Sequence, residues 1–172
     1  MILNEIIASI QTLQVIGKTE DLQRLDIRHL LTDSRQLGNE PDATLFFALK
    51  TDKNDGAKYI PQLVERGVKA FVVEQSSLDQ LAELAKLAQL AQLTEVVFLV
   101  VEDSLAALQH LAAYKRSLYH GPVIGITGSN GKTVVKEWLY QLLKDDYRIT
   151  RSPKSYNSQI GVPLSVWQLN EQ

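Results

Sequence analysis

Leu3, Ile6, Ile7 and Ile10 recur at the spacing of one helix face, so the chain opens with a predicted amphipathic helix. Ile27 to Thr32 then reads as a short strand that runs into the polar turn Asp33-Ser34-Arg35-Gln36. Leu45-Phe46-Phe47-Ala48-Leu49 is a compact apolar strand followed by a polar loop from Lys50 to Gly56. A helix is predicted from Tyr59 to Arg66, closed by Gly67 in a left-handed cap, and Lys69 to Glu74 is the next buried strand. Residues 81–92 return leucine at every third position, which advances an ideal helix by about 300° per step. The leucines therefore spread over a broad arc, as in a helix covering a sheet. Val96 to Glu102 is a further strand, and Ser104 to Leu118 a further helix capped by Ser104 or Asp103.

Strands and helices alternating at these lengths imply an α/β domain with a substantially parallel sheet. The pattern restarts after Tyr119-His120-Gly121-Pro122, which places a first domain at residues 1–120 and a second at 121–172. The second opens with a predicted strand, Val123 to Thr127, then a glycine loop. A helix from Thr133 to about Lys144 follows, with Val135, Trp138, Leu139 and Leu142 expected to face inward. A last strand is expected from Tyr147 to Arg151. So few elements cannot close a nucleotide-binding domain, so the second domain is expected to be incomplete in these residues.

Composition narrows the function. Hydrophobic residues make up 45% and charged residues 22%, as in a soluble globular protein. The net charge of -2 lacks the basic excess of a nucleic-acid binder, so any phosphate recognised is expected to belong to a small molecule. There is no cysteine, which excludes disulfides and thiolate metal sites. His29, His110 and His120 are scattered without metal-ligand spacing. The start of the chain lacks the pattern of a secretory signal, and no apolar run approaches the length of a membrane span; a cytoplasmic location is expected.

The chemistry concentrates in Gly128-Ser129-Asn130-Gly131-Lys132-Thr133, between a predicted buried strand and its helix. Glycines at 128 and 131 can take positive φ and leave no side chain where phosphate oxygens approach. The amides that follow can point into the concavity beside a helix N-terminus. Lys132 is spaced to reach terminal phosphates, and Thr133 to offer a hydroxyl to Mg²⁺. A glycine turn that merely caps a helix would explain the glycines but not the adjacent Lys-Thr. The general phosphate-loop motif asks for glycine five positions before Gly131, and Ile126 stands there.

That shortened loop, Gly125-Ile126-Thr127-Gly128-Ser129-Asn130-Gly131-Lys132-Thr133, resembles the signature of the Mur ligase superfamily, which includes the folylpolyglutamate synthetases. The resemblance implies an α/β substrate-binding domain followed by a phosphate-loop ATP-binding domain. It also implies an ATP-dependent amide ligase working through an acyl phosphate, with Gly128 to Thr133 binding ATP, Lys132 catalytic and Thr133 at Mg²⁺. Asp33-Ser34-Arg35, with the apolar strand after it, looks like the module with which such ligases hold the UDP end of their substrate, which assigns Ser34 and Arg35 to substrate; the competing reading is an Asp-started turn with a surface salt bridge. Asn54-Asp55-Gly56-Ala57-Lys58-Tyr59-Ile60 is similar to a second segment of that module, but Ala57 stands where histidine is usual, so position 57 inherits no role. Asn157-Ser158-Gln159-Ile160-Gly161-Val162-Pro163 resembles a segment of the D-alanyl-D-alanine-adding (MurF) type, which assigns Asn157 and Ser158 to the sugar or diphosphate. Here the competing reading is a helix start capped by Asn157 or Ser158.

The implied substrates are UDP-N-acetylmuramoyl tripeptide, D-alanyl-D-alanine and ATP, in peptidoglycan precursor synthesis. The family's metal-binding glutamate and histidine, its modified lysine and its C-terminal domain would fall after Gln172, so the 172 residues alone are expected to be inactive. The wording around the loop looks most like MurF halves fused to an alanine racemase, which would also lie beyond Gln172. Three alternatives stay open: another Mur-type ligase, an unrelated phosphate-loop enzyme, and a non-catalytic UDP-sugar-binding module with the leucine-triplet helix as a contact surface.

Overall fold

The computed structural model describes residues 1–17, 24–51, 54–77, 89, 95–152 and 158–169. The leucine-triplet segment, Gln89 apart, and Asn157 fall outside them. The chain divides into two compact units, Met1–Leu111 and Ala112–Gln172.

The first unit is built on a five-stranded sheet. Its strands are β1 (Gln14–Ile16), β2 (His29–Leu31), β3 (Thr44–Phe47), β6 (Ala70–Glu74) and β7 (Val97–Val101), in the order β1-β7-β6-β3-β2. All neighbours pair in parallel except β1 with β7, so the predicted parallel sheet is present with one antiparallel edge strand. A two-stranded hairpin, β4 (Lys50–Thr51) and β5 (Asn54–Asp55), stands in the polar loop expected between Lys50 and Gly56.

Register explains why these strands meet. Leu31 pairs with Phe46, Phe46 with Phe71, Phe71 with Phe98, and Phe98 with Ile16, so one row of large apolar side chains crosses all five strands. Phe46 meets Phe71 edge-on at 6.3 Å, and Phe71 stacks on Phe98 at 5.4 Å. Such aromatic pairs add about 0.5–1.5 kcal/mol each beyond their area burial. A one-residue slip would break the row, which pins the register. Leu45, Phe47, Val72 and Leu99 alternate with the row and are also buried, as in a parallel sheet covered on both faces.

The helices follow the predicted faces. In α1 (Leu3–Ser9), Leu3 and Ile6 are buried, as is Ile10 just past its end. A 3₁₀ turn, Gly56–Tyr59, leads into α2 (Ile60–Glu65), which lays Ile60 and Leu63 in the same core cluster as the aromatic row. Gly67, at φ 91°, closes it in the left-handed conformation: its amide bonds to Val64, and the Val68 amide to Leu63. The helix α3 (Ser104–Leu118) spans the division between the units.

The second unit carries α4 (Lys132–Leu143) and α5 (Gly161–Trp167). Two predictions fail here. Val123–Thr127 and Tyr147–Arg151 are not strands. Of the four residues predicted to face inward, Val135, Trp138 and Leu142 are exposed and Leu139 is half-buried; Val123 and Ile124 are exposed as well. One cause covers both failures. A strand exists only through its ladder partners, and an apolar helix face is buried only when another element covers it. Among the described residues of this unit no strand offers either.

Candidate functional site

The loop Gly128–Thr133 turns into α4 through two glycines in the left-handed half of backbone space, Gly128 at φ 145° and Gly131 at φ 79°. An added Cβ at Gly131 would meet no atom within 4 Å, so the requirement for glycine there is conformational rather than steric. Gly131 is the residue before the first turn of α4, and no side chain caps that helix start. Ser129, Asn130 and Gly131 are exposed. The Lys132 side chain folds back along the loop, and its ammonium donates to the Gly128 carbonyl. Positive-φ glycines, an uncapped helix start and a lysine ammonium returning to the first glycine form an open, positively poised curl. Such a curl can accept phosphate oxygens through amides and a cation together.

α4 also fastens the segment that leads toward residue 157. The Lys136 ammonium donates to the Ser152 carbonyl at 2.8 Å, Glu137 pairs with Arg151, and the Arg151 guanidinium lies 3.9 Å from the Tyr140 ring centroid. The sequence gives no sign of this cluster, because its members are one helical stretch and one irregular segment far along the chain. Ser158 stands at the start of α5, where its hydroxyl accepts from the Gly161 amide at 2.9 Å and its carbonyl from Val162. The helix-start role is thus present at Ser158.

In the first unit, Asp33, Ser34 and Arg35 follow the carboxyl end of β2. Asp33 caps the 3₁₀ turn Ser34–Gln36 by accepting from the Arg35 amide at 3.1 Å. The same carboxylate takes both Nε, at 2.9 Å, and Nη2, at 2.7 Å, of the Arg35 guanidinium. The Arg35 side chain and then its backbone amide hold the Asp33 carboxyl below its ordinary value, at about 2. Ser34 is buried, and its carbonyl accepts from Arg66 at 3.0 Å. Arg35 is largely exposed.

The predicted site residues therefore stand in two groups, Ser34 with Arg35 in the first unit and the loop with Ser158 in the second. Of the histidines, His29 pairs with Glu40 on the surface. Among the described residues there is no cluster of three metal-ligating side chains, and no helix is long and apolar enough to cross a membrane.

Residues 26–116, more than half of the chain, match the Mur ligase family, catalytic domain, and residues 126–172 match the Mur ligase middle domain. The chain belongs to the Mur ligase family. It is 34% identical over 158 residues to the UDP-N-acetylmuramoyl-tripeptide--D-alanyl-D-alanine ligase of Synechocystis sp., covering 92% of this chain and 31% of that protein. The crystal structure of MurF from Acinetobacter baumannii superposes with a TM-score of 0.75 at 26% identity, over 98% of this chain and 33% of that one. MurF from Thermotoga maritima, solved in complex with ADP, does so with a TM-score of 0.61 at 28% identity, over 84% of this chain and 30% of that one. The chain spans about a third of the length of these relatives.

Proposed function

We propose that the whole protein is an ATP-dependent amide ligase that adds D-alanyl-D-alanine to UDP-N-acetylmuramoyl tripeptide in the cytoplasm, for peptidoglycan precursor synthesis. Residues 1–120 would hold the UDP end of the substrate, and residues 121–172 would begin the ATP-binding domain. The observation that carries this reading is the uncapped start of α4, with Gly128 and Gly131 at positive φ and Lys132 turned back onto the loop. The name carried by the Synechocystis relative supports the choice of substrate.

The residues present suit a nucleotide's phosphates. Loop amides and the helix start favour an anion, and Lys132 adds a full positive charge beside them. Thr133, the next residue of the helix, would turn its hydroxyl to Mg²⁺. Bound ATP would supply the phosphoryl group that converts a carboxylate into an acyl phosphate open to attack by an amine. The role of this chain in that step is to position phosphates and to stabilise charge on them.

Arg35 and Ser34 would meet the uridine diphosphate, and Asn157 and Ser158 the sugar or diphosphate. The partners are small molecules, with neither nucleic acid nor membrane span called for. A racemase domain following the ligase rests on sequence resemblance around the loop. Separate calorimetric titrations of the 172-residue chain with ATP and with UDP-N-acetylmuramoyl tripeptide test the reading. Saturable heats for both are expected, and failure of ATP to bind at millimolar concentration overturns the assignment of the loop.

A further inference from the structure

The four parallel strands β2, β3, β6 and β7 send the segments that follow them to one edge of the sheet, the carboxyl edge where open α/β sheets receive ligands. The Asp33–Arg35 turn follows β2 there, and the β4–β5 hairpin follows β3. A two-stranded hairpin is marginal on its own, so something must hold it. Part of the hold is backbone: the Gly56 amide donates to Leu49 at 3.0 Å, and a Cβ at Gly56 would stand 2.9 Å from the Ala48 backbone. Further ties are polar and converge on the turn Gln75–Ser77 just after β6. The Lys50 ammonium donates to Ser76 Oγ at 3.3 Å, and Ser77 Oγ donates to Asp55 Oδ2 at 3.2 Å.

That turn is itself tied to Glu74. Ser76 Oγ donates to Glu74 Oε2 at 3.2 Å, while Glu74 Oε1 accepts from the Ser104 hydroxyl at 2.6 Å and from its amide at 3.1 Å. Ser104 is buried at the start of α3, so one end of the chain of bonds is anchored in the fold and the other ends at Lys50 on the exposed strand β4. Its members come from β6, the turn after it, α3 and the hairpin, and both carboxylate oxygens of Glu74 are used.

We propose that Glu74 is a positioning residue for uridine-diphosphate binding, setting through Ser76 and the following turn where the paired strands β4 and β5 stand at the carboxyl edge of the sheet. This rests on the reading of that edge as the UDP-binding module. Lys50 brings a cation to the edge, and a hairpin that shifts takes that cation with it. Glutamine at position 74 keeps an oxygen for Ser104 and an amide for Ser76, whereas alanine keeps neither.

Uridine 5′-diphosphate is titrated by calorimetry into the 172-residue chain and its Glu74→Ala, Glu74→Gln and Ser104→Ala variants, with unfolding temperature and hydrogen exchange at the Gly56 amide followed in parallel. Loss of the charged hydrogen bonds in Glu74→Ala is expected to weaken UDP by about tenfold and to speed Gly56 exchange. Glu74→Gln should return both toward the starting values. Ser104→Ala removes the buried hydroxyl but keeps the Ser104 amide as a donor to Glu74 Oε1, so it should lower the unfolding temperature and weaken UDP by clearly less than Glu74→Ala does. Affinities that fall in proportion to unfolding temperature across Glu74→Ala and Ser104→Ala would reduce Glu74 to a structural residue. Unchanged affinity in Glu74→Ala, with the unsubstituted chain binding, would overturn its role and leave the UDP module standing. No UDP binding by the unsubstituted chain would overturn the module itself, and the positioning role with it.

Discussion

Two helices of this chain begin in opposite ways. At α3, Asp103 Oδ1 accepts from the amides of Leu105 and Ala106, at 2.8 and 2.9 Å, the Asp103 carbonyl accepts from Ala107, and Glu74 takes the amide of Ser104. The first turn is answered from within the protein, by two carboxylates. At α4 the preceding residue is a left-handed glycine, no side chain caps the turn, and the ammonium of Lys132 turns back onto the Gly128 carbonyl. Both starts carry the positive end of a helix dipole. One has already been given its anions, and the other is furnished to receive one. A helix start alone therefore says little about ligand binding, and what fills it decides.

The sharpest way to break that contrast is at Lys132. Lys132→Ala removes the cation and leaves the glycines and the helix start in place. A charge-assisted hydrogen bond is worth about 1.5–3 kcal/mol, so ATP affinity should fall roughly thirtyfold, read by calorimetry on the 172-residue chain. Because the ammonium is bound to a carbonyl of its own loop, the fold should not change measurably. Equal affinity in the variant would mean that the loop is an ordinary turn.

The same contrast shows what could be read from the residues in order. Apart from β1 and the β4–β5 pair, the first unit is legible because its signals are local: compact apolar strands, a glycine after α2, and Asp103 ahead of an apolar helix. The loop was legible for the same reason, since Gly128, Gly131, Lys132 and Thr133 are neighbours in sequence. The strands at Val123–Thr127 and Tyr147–Arg151 were misread because a strand is a property of its partners, and no described residue of this unit pairs with them. The helix α4 is present where its periodicity predicts it, but its apolar positions Val135, Trp138 and Leu142 are exposed, because what covers a face is not contained in the pattern of that face. The Glu74 chain of bonds was invisible, since it joins elements that only the parallel topology brings to one edge.

A smaller effect is expected at the closed helix start. Asp103→Ala leaves the amides of Leu105 and Ala106 without their side-chain acceptor, a loss of about 1 kcal/mol for an N-cap. For a unit of 111 residues that corresponds to a fall in unfolding temperature of about 4 °C. ATP affinity should be untouched. A variant that unfolds earlier and also loses ATP would show that the two helix starts are not independent.

The smallest effect concerns a third polar turn, where the cation is already taken. Arg35 is bound in two places by the Asp33 carboxylate, whereas the Lys132 ammonium rests on a neutral carbonyl. An incoming phosphate must compete with a full charge at Arg35 and with a dipole at Lys132. The strength of that hold can be read from Asp33 itself. Its carboxyl should titrate at about 2, below the ordinary 3.8, followed by carbon NMR of the side chain, and Arg35→Ala should raise it toward the ordinary value. Since the folded-state value is the lower one, whatever stability the pair adds is present above 3.8 and fades as pH falls through about 2. The pair is open to solvent, so the change in overall stability should be slight while the titration of Asp33 moves clearly. An Asp33 midpoint near 3.8 with Arg35 intact would mean that the guanidinium is free in solution, and the distinction between an occupied and an available cation would disappear.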